Sequence, residues 1–155
     1  MANTFTKLYI HIVFSVKNRH HLIPDAHREE LHKYITGIIQ NKKHKLIAIN
    51  SVKDHIHILI GLNPDSALSD LVRDIKSNSS IFINRQGWLK TKFYWQEGYS
   101  AFSYGQSQID HVIKYIENQR EHHRKKTFHE EYLEFLKKFQ IPYDERFIFD
   151  LRMDK

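Results

Sequence analysis

Two histidines one residue apart, His55 and His57, interrupt the apolar run KDHIHILIGL at residues 53–62. Successive side chains of a strand point to opposite faces, so Ile56, Ile58, Ile60 and Leu62 share one face and His55, His57 and Leu59 the other. Two imidazoles on one sheet face suit a metal centre, because neutral imidazole is the commonest protein ligand for transition ions. The spacing alone carries little: 12 histidines among 155 residues give roughly one His-x-His pair by chance.

A second constellation lies in HVIKYIENQREHH, residues 111–123. Tyr115 and Gln119 are four apart and share one helix face, with His111 a turn earlier and Ile113 and Ile116 turned toward a core. A phenol hydroxyl and an amide oxygen are thereby presented together.

These side chains need elements to hold them. Residues 4–17 alternate, with the even positions from Thr6 to Val16 more continuously apolar, which predicts a strand with one core face and His11 on the other. After Pro24 and Asp25, the spacing of Leu31, Ile35, Ile38 and Ile39 predicts a helix. Residues 45–52 read as a strand joined to the histidine strand through Lys53 and Asp54 alone, a tight antiparallel hairpin. Pro64, Asp65 and Ser66 introduce a second helix with Leu68, Leu71, Val72, Ile75, Ser79 and Phe82 on its apolar stripe. The aromatic stretch KTKFYWQEGYSAFSYG is β-prone and broken at Gly98 and Gly105. A third helix is expected from Gln106 to about Arg124, and a fourth from about Phe128 to Phe139.

The order β-α-β-β-α-β predicts an α+β, ferredoxin-like (split βαβ) fold: an antiparallel sheet with two helices on one face, the other face free, and a C-terminal tyrosine-bearing helix. His11, His55 and His57 would share the free face. One domain over 1–155 is expected, its core at about 4–124 and a C-terminal helix and tail at about 128–155.

Composition narrows the classes. Zero cysteines exclude disulfides and thiolate metal sites and fit a cytoplasmic location. No stretch approaches the ~20 apolar residues of a membrane span, and the N-terminus lacks the apolar core of a signal peptide. A formal charge of +6 favours a polyanionic partner, nucleic acid first.

A His-hydrophobic-His strand in a ferredoxin-like core, followed by Tyr-x-x-x-Gln on a later helix, resembles the single-tyrosine HUH transposases of the insertion sequence 200/605 family. HIVFSVKNRHHLI, DHIHILIGL, DIKSNSS, FYWQEGYSAFSYG and YIENQ fall in that family's order. The resemblance implies metal-dependent cleavage and rejoining of single-stranded DNA at hairpin-bearing ends. It implies His55, His57 and Gln119 as ligands of Mg²⁺ or Mn²⁺ and Tyr115 as the nucleophile that forms a covalent 5′-phosphotyrosine. It also implies a homodimer whose tyrosine helices complete each other's sites in trans. Asp54, directly before the histidine pair, is expected to matter little.

A free tyrosine has a pKa of about 10, so Tyr115 needs the metal or a nearby base to lose its proton, and His111 is one candidate. DNA contacts are assigned to Arg73 and Lys76, the Lys42, Lys43 and Lys45 cluster, Lys90, Lys92 and the basic run from Arg124 to Lys126. Trp95, with Tyr94, Tyr99, Phe102 and Tyr104, would add base stacking. Two alternatives stand beside this reading: a domesticated relative that processes palindromes with the same chemistry, and a non-catalytic sheet-face binder of single-stranded nucleic acid. The second does not require Tyr115 and Gln119 on one helix. A two-histidine phosphoesterase would want His-x-Thr/Ser twice, and that pattern is absent.

Overall fold

The computed structural model describes residues 4–17, 22–122 and 125–144. Four strands form one antiparallel sheet: β1 (Tyr9–Ser15), β2 (Lys45–Val52), β3 (His55–Gly61) and β4 (Ser100–Tyr104). Their order is β2-β3-β1-β4, with the first and third strands central, as the split βαβ pattern requires. The expected first strand is shorter than its alternation suggested. Beyond Ser15 the chain continues only as a bridge from Val16 to Trp95.

Helices α1 (Arg28–Asn41) and α2 (Leu68–Gln86) cover one face. Their Leu31, Ile35, Ile39, Leu71, Val72 and Ile75 pack on Ile12 and Phe14 of β1 and on Ile56, Ile58 and Ile60 of β3. All of these are sealed from solvent, which makes this layer the main store of apolar burial. Gly87, in the left-handed region at φ 69°, ends α2 without the penalty a side chain would meet there.

The opposite face is not free. Helix α3 (Ile109–Glu117) lays Ile109, Val112 and Ile116 on Ala48 and Leu59. Helix α5 (Phe128–Lys138) lays Phe128, Tyr132, Phe135 and Leu136 on Val13 and Phe102. The face was read as open because periodicity within a strand does not report what a later segment places on it; Val13, Leu59 and Phe102 supply the apolar surface that draws the two helices down.

The tyrosine helix is also interrupted. It stops at Asn118, and a short α4 (Gln119–His122) follows. Asn50 of β2 donates its side-chain amide to the carbonyls of Ile116 (2.8 Å) and Glu117 (3.2 Å), satisfying acceptors that a continuing helix would have used.

Candidate metal centre and nucleophile

β1 and β3 are paired so that Val13 lies opposite His57 and Ser15 opposite His55. His11, His55 and His57 therefore project from one face, as the alternation predicted, and each is fully buried beneath α3 and α5. His11 Nε2 is 2.8 Å from His57 Nδ1, and their rings stack with centroids 5.0 Å apart.

His55 is anchored from its other side. Its Nδ1 is 2.7 Å from Asp54 Oδ1, which turns Nε2 inward. Asp54 thus does more than the sequence suggested: it is the carboxylate behind a candidate ligand, the arrangement that commonly fixes the tautomer of metal-binding histidines. Burial disfavours the imidazolium of His55, but hydrogen bonds to Asp54 and Glu131 and their charges outweigh it and raise the pKa to about 9.

α3 and α4 bring the second constellation to the same place. Gln119 is fully buried, its Nε2 3.3 Å from the carbonyl of Tyr115 and 3.4 Å from Glu131 Oε2. The Tyr115 ring lies edge-on to His57 at 5.9 Å. One chain therefore gathers both histidines, the phenol and the amide, with α3 seated on its own sheet.

The centre of the cluster is occupied by a residue the sequence reading passed over. Glu131, 1% exposed, places Oε1 3.2 Å from His57 Nε2 and 3.5 Å from His55 Nε2, and Oε2 accepts the hydroxyl of Tyr115. A signal existed: Phe128, Tyr132 and Phe135 form an apolar stripe at helical spacing, and a carboxylate at 131 falls inside it. Thr127 caps the helix, accepting the amide of Glu130 at 3.1 Å while Glu130 reaches back to the Thr127 amide at 3.2 Å, and this fixes the rotation of α5.

The donor set fits a divalent cation. His55, His57 and Glu131 present ligand atoms within 4.8 Å of one another, all buried. Gln119 Oε1 is buried with no hydrogen-bond partner among the described residues, a costly state that a cation would relieve. Burial first, then the charge of Glu131 and its hydrogen bond, push the Tyr115 phenol well above the ordinary range. A cleft of about 480 Å³ between α3 and α5 opens onto Tyr115 and Glu131, with His111, Phe135 and Lys138 along its wall. His111 is exposed there, whereas the group bonded to the Tyr115 hydroxyl is Glu131.

The residues assigned to DNA scatter. Arg73 and Lys76 lie on α2, across the sheet from the histidines. Arg73 is exposed and pairs with Asp70 at 3.1 Å. Lys76 donates to the carbonyls of Gln96 (2.7 Å) and Gly98, and burial lowers its pKa to about 8; it clasps a loop. Lys90 and Lys92 are exposed, Lys92 above the Tyr94 ring at 5.3 Å. Trp95 is a correction: it is buried between Phe14 and Phe93, with its indole N–H on Ser79 Oγ at 2.8 Å, so its ring faces the core where a base was expected. Arg124 lies outside the described residues. No helix among the described residues is long and apolar enough to cross a membrane.

Comparison with known proteins bears on this arrangement. A family model described as Transposase IS200 like matches residues 4–119. The ISDra2 transposase TnpA of Deinococcus radiodurans is 25% identical over 121 residues, 74% of this chain and 86% of that protein. The transposase for insertion sequence element IS200 of Salmonella typhimurium is 26% identical over 126 residues, 78% of this chain and 82% of that protein. Among solved structures, a Deinococcus radiodurans protein superposes with a TM-score of 0.61 at 22% identity, over 77% of this chain and 95% of its own. A REP-associated tyrosine transposase bound to a REP hairpin superposes with a TM-score of 0.60 at 17% identity, over 79% and 73%. At these identities the superpositions show the fold.

Proposed function

The chain belongs to the IS200-like transposase family, and from that footing we propose that it cleaves and rejoins single-stranded DNA at hairpin-bearing ends through a 5′-phosphotyrosine on Tyr115. His55, His57 and Gln119 would hold Mg²⁺ or Mn²⁺. The observation that carries this reading is the convergence of the Tyr115 ring, two inward-turned imidazoles and the buried Gln119 amide in one cluster. A sheet-face nucleic-acid binder would have no use for it.

In the reaction, the Tyr115 oxygen forms a bond to phosphorus as the bond from phosphorus to the 3′ oxygen breaks, and the phenol's proton is balanced by the one that the departing 3′-hydroxyl gains. One ester replaces another, so a 3′-hydroxyl can later reverse the step and rejoin strands without ATP. The cation supplies Lewis-acid polarisation of the phosphate oxygens when bound. Asp54 and His11 orient the donors His55 and His57. Helices α3 and α5 wall the cleft that opens onto Tyr115.

Hairpin DNA as the substrate class is supported by the solved relative bound to a REP hairpin. The positive charge supports a polyanion. The resemblance implies a homodimer with trans sites, whereas the seating of α3 on Ala48 and Leu59, with Asn50 holding its terminal carbonyls, supports catalysis in cis. The test is a denaturing gel with a hairpin-bearing oligonucleotide and Mn²⁺: wild type yields a protein–DNA adduct and Tyr115→Phe yields none while still retarding the DNA on a native gel. An adduct from the Phe variant overturns Tyr115 as nucleophile.

A further inference from the structure

We propose that Glu131 of α5 is a fourth protein donor to the cation, beside His55, His57 and Gln119, so that the bound ion clamps the C-terminal helix onto the catalytic sheet. The inference rests on the metal-dependent reading above but concerns a residue outside it. Glu131 lies beyond the span 4–119 that the family model matches.

The first ground is cost. The other buried neighbours of Glu131 on the inner side of α5 are apolar or aromatic: Phe128, Tyr132, Phe135 and Leu136. A carboxylate among them forfeits its hydration, a penalty that a leucine there would avoid. Without an ion, Tyr115, Gln119 and the imidazoles of His55 and His57 offset that penalty, and the same oxygens serve as donors when a cation displaces those protons.

The second ground is geometry. Glu131 Oε1 stands 3.2 Å from His57 Nε2 and 3.5 Å from His55 Nε2. Ligands of an ion bound at about 2.1 Å are separated by about 3 Å when they occupy adjacent octahedral positions. Both carboxylate–imidazole separations thus already stand near that of a coordination shell, and all three donors lie within 4.8 Å of one another. Gln119 reaches the same carboxylate from α4 at 3.4 Å, through an amide whose oxygen has no partner among the described residues. Rotating that amide by half a turn exchanges its nitrogen and oxygen, so Gln119 and Glu131 can serve one ion together.

The third ground is how α5 is held. The Phe128 ring lies on His55 with centroids 4.0 Å apart at 20°, and Phe135 meets His11 edge-on at 5.3 Å. The capping box at Thr127 sets the start of the helix. Contacts on both sides of Glu131 therefore fix it one turn into α5, over the histidines. A cation here joins β3, α4 and α5 at a single point, and the helix that walls the cleft becomes part of the metal site.

The test is Mn²⁺ binding to the whole chain by isothermal titration calorimetry, without DNA. Glu131→Gln keeps the volume and removes the charge, and is expected to lose tenfold or more in Mn²⁺ affinity; Glu131→Asp, which keeps the charge but withdraws it by one methylene, is expected to lose less. Unchanged or tighter binding by Glu131→Gln overturns the proposal and makes the carboxylate a stopper in the ion's place. Hydrogen exchange on wild type gives a reading that depends on no variant: Mn²⁺ should slow exchange of the α5 amides, and unaltered α5 exchange at saturating Mn²⁺ overturns the clamp. His57→Ala separates the two levels. If it binds Mn²⁺ like wild type, the metal centre itself is misplaced; if it loses binding while Glu131→Gln does not, only the role of Glu131 falls.

Discussion

His11 and His57, on neighbouring strands, meet nitrogen to nitrogen at 2.8 Å. Burial, reinforced by His57, holds His11 far below the ordinary imidazole range, so at neutral pH it is an uncharged ring. An uncharged imidazole donates at one nitrogen and accepts at the other. With an ion bound, His11 can therefore accept from His57 Nδ1–H and leave the Nε2 lone pair of His57 free for it, whereas without one Nε2 donates to Glu131 Oε1 at 3.2 Å.

The expected consequence is that His11→Leu folds but binds Mn²⁺ about 10–100-fold more weakly, the usual loss when a ligand's supporting partner is removed. His11→Gln, which can still donate or accept, should recover part of that affinity. Equal affinity in wild type and the Leu variant would remove His11 from any positioning role.

Asp54 has the corresponding part behind His55, 2.7 Å from its Nδ1. Asp54→Ala should weaken Mn²⁺ binding by a similar 10–100-fold, and Asp54→Asn, whose amide oxygen can still accept from Nδ1–H, should lose less. Titration calorimetry on both variants decides it. The contact is outside DNA reach if adduct yields fall only when Mn²⁺ is limiting and recover at saturating Mn²⁺; a loss that saturating metal does not restore would count against this role.

The sequence carried the strand alternation and the Tyr-x-x-x-Gln spacing because both follow from the local period of one element. His55 and His57 share a face by the two-residue repeat of β3, and Tyr115 and Gln119 approach each other by the helical repeat. What it did not carry depends on contacts between distant segments. Glu131 enters the cluster only because α5 settles on Val13 and Phe102. The break at Asn118 needs Asn50 from β2 to take over the carbonyls of Ile116 and Glu117. Trp95 reads as a surface aromatic beside lysines, yet Ser79, deep on α2, offers its indole a buried acceptor and draws the ring inward. Asp54 looked like a turn residue, and its bond to His55 is a matter of side-chain direction, invisible to spacing.

A pH dependence follows from a histidine remote from the site. His32 on α1 is hydrogen-bonded to Ser51 Oγ at 2.8 Å, and burial, aided by Arg28, lowers its pKa to about 4. The unfolded chain binds this proton near pH 6.5 and the folded chain does not, so stability falls as pH drops from about 6.5 toward 4 and this contribution levels off below. Between pH 7 and pH 5 the loss is about 2 kcal/mol. Urea unfolding of His32→Gln should show a pH slope shallower by that amount over the same interval. Parallel curves for the variant and wild type would refute the assignment.

The last prediction concerns whether one chain suffices. α3 rests on its own β2 and β3 through Ala48 and Leu59. At its start, the Tyr9 hydroxyl donates to Gln106 Oε1 at 2.6 Å, and at its end Asn50 holds the terminal carbonyls. A helix tied to its own sheet at both ends has little reason to cross to another subunit. Suppose His57→Ala and Tyr115→Phe chains are unfolded together in denaturant, refolded as a mixture and assayed for adduct on hairpin DNA. In cis every site keeps one defect and no adduct forms. In trans each mixed dimer has one site with intact histidines facing an intact Tyr115, and about half the wild-type yield per mixed dimer returns, by two-fold symmetry. The expected result is no recovery, with wild-type yield per chain constant on dilution. Recovery in the mixture would show that the tyrosine helix travels between subunits.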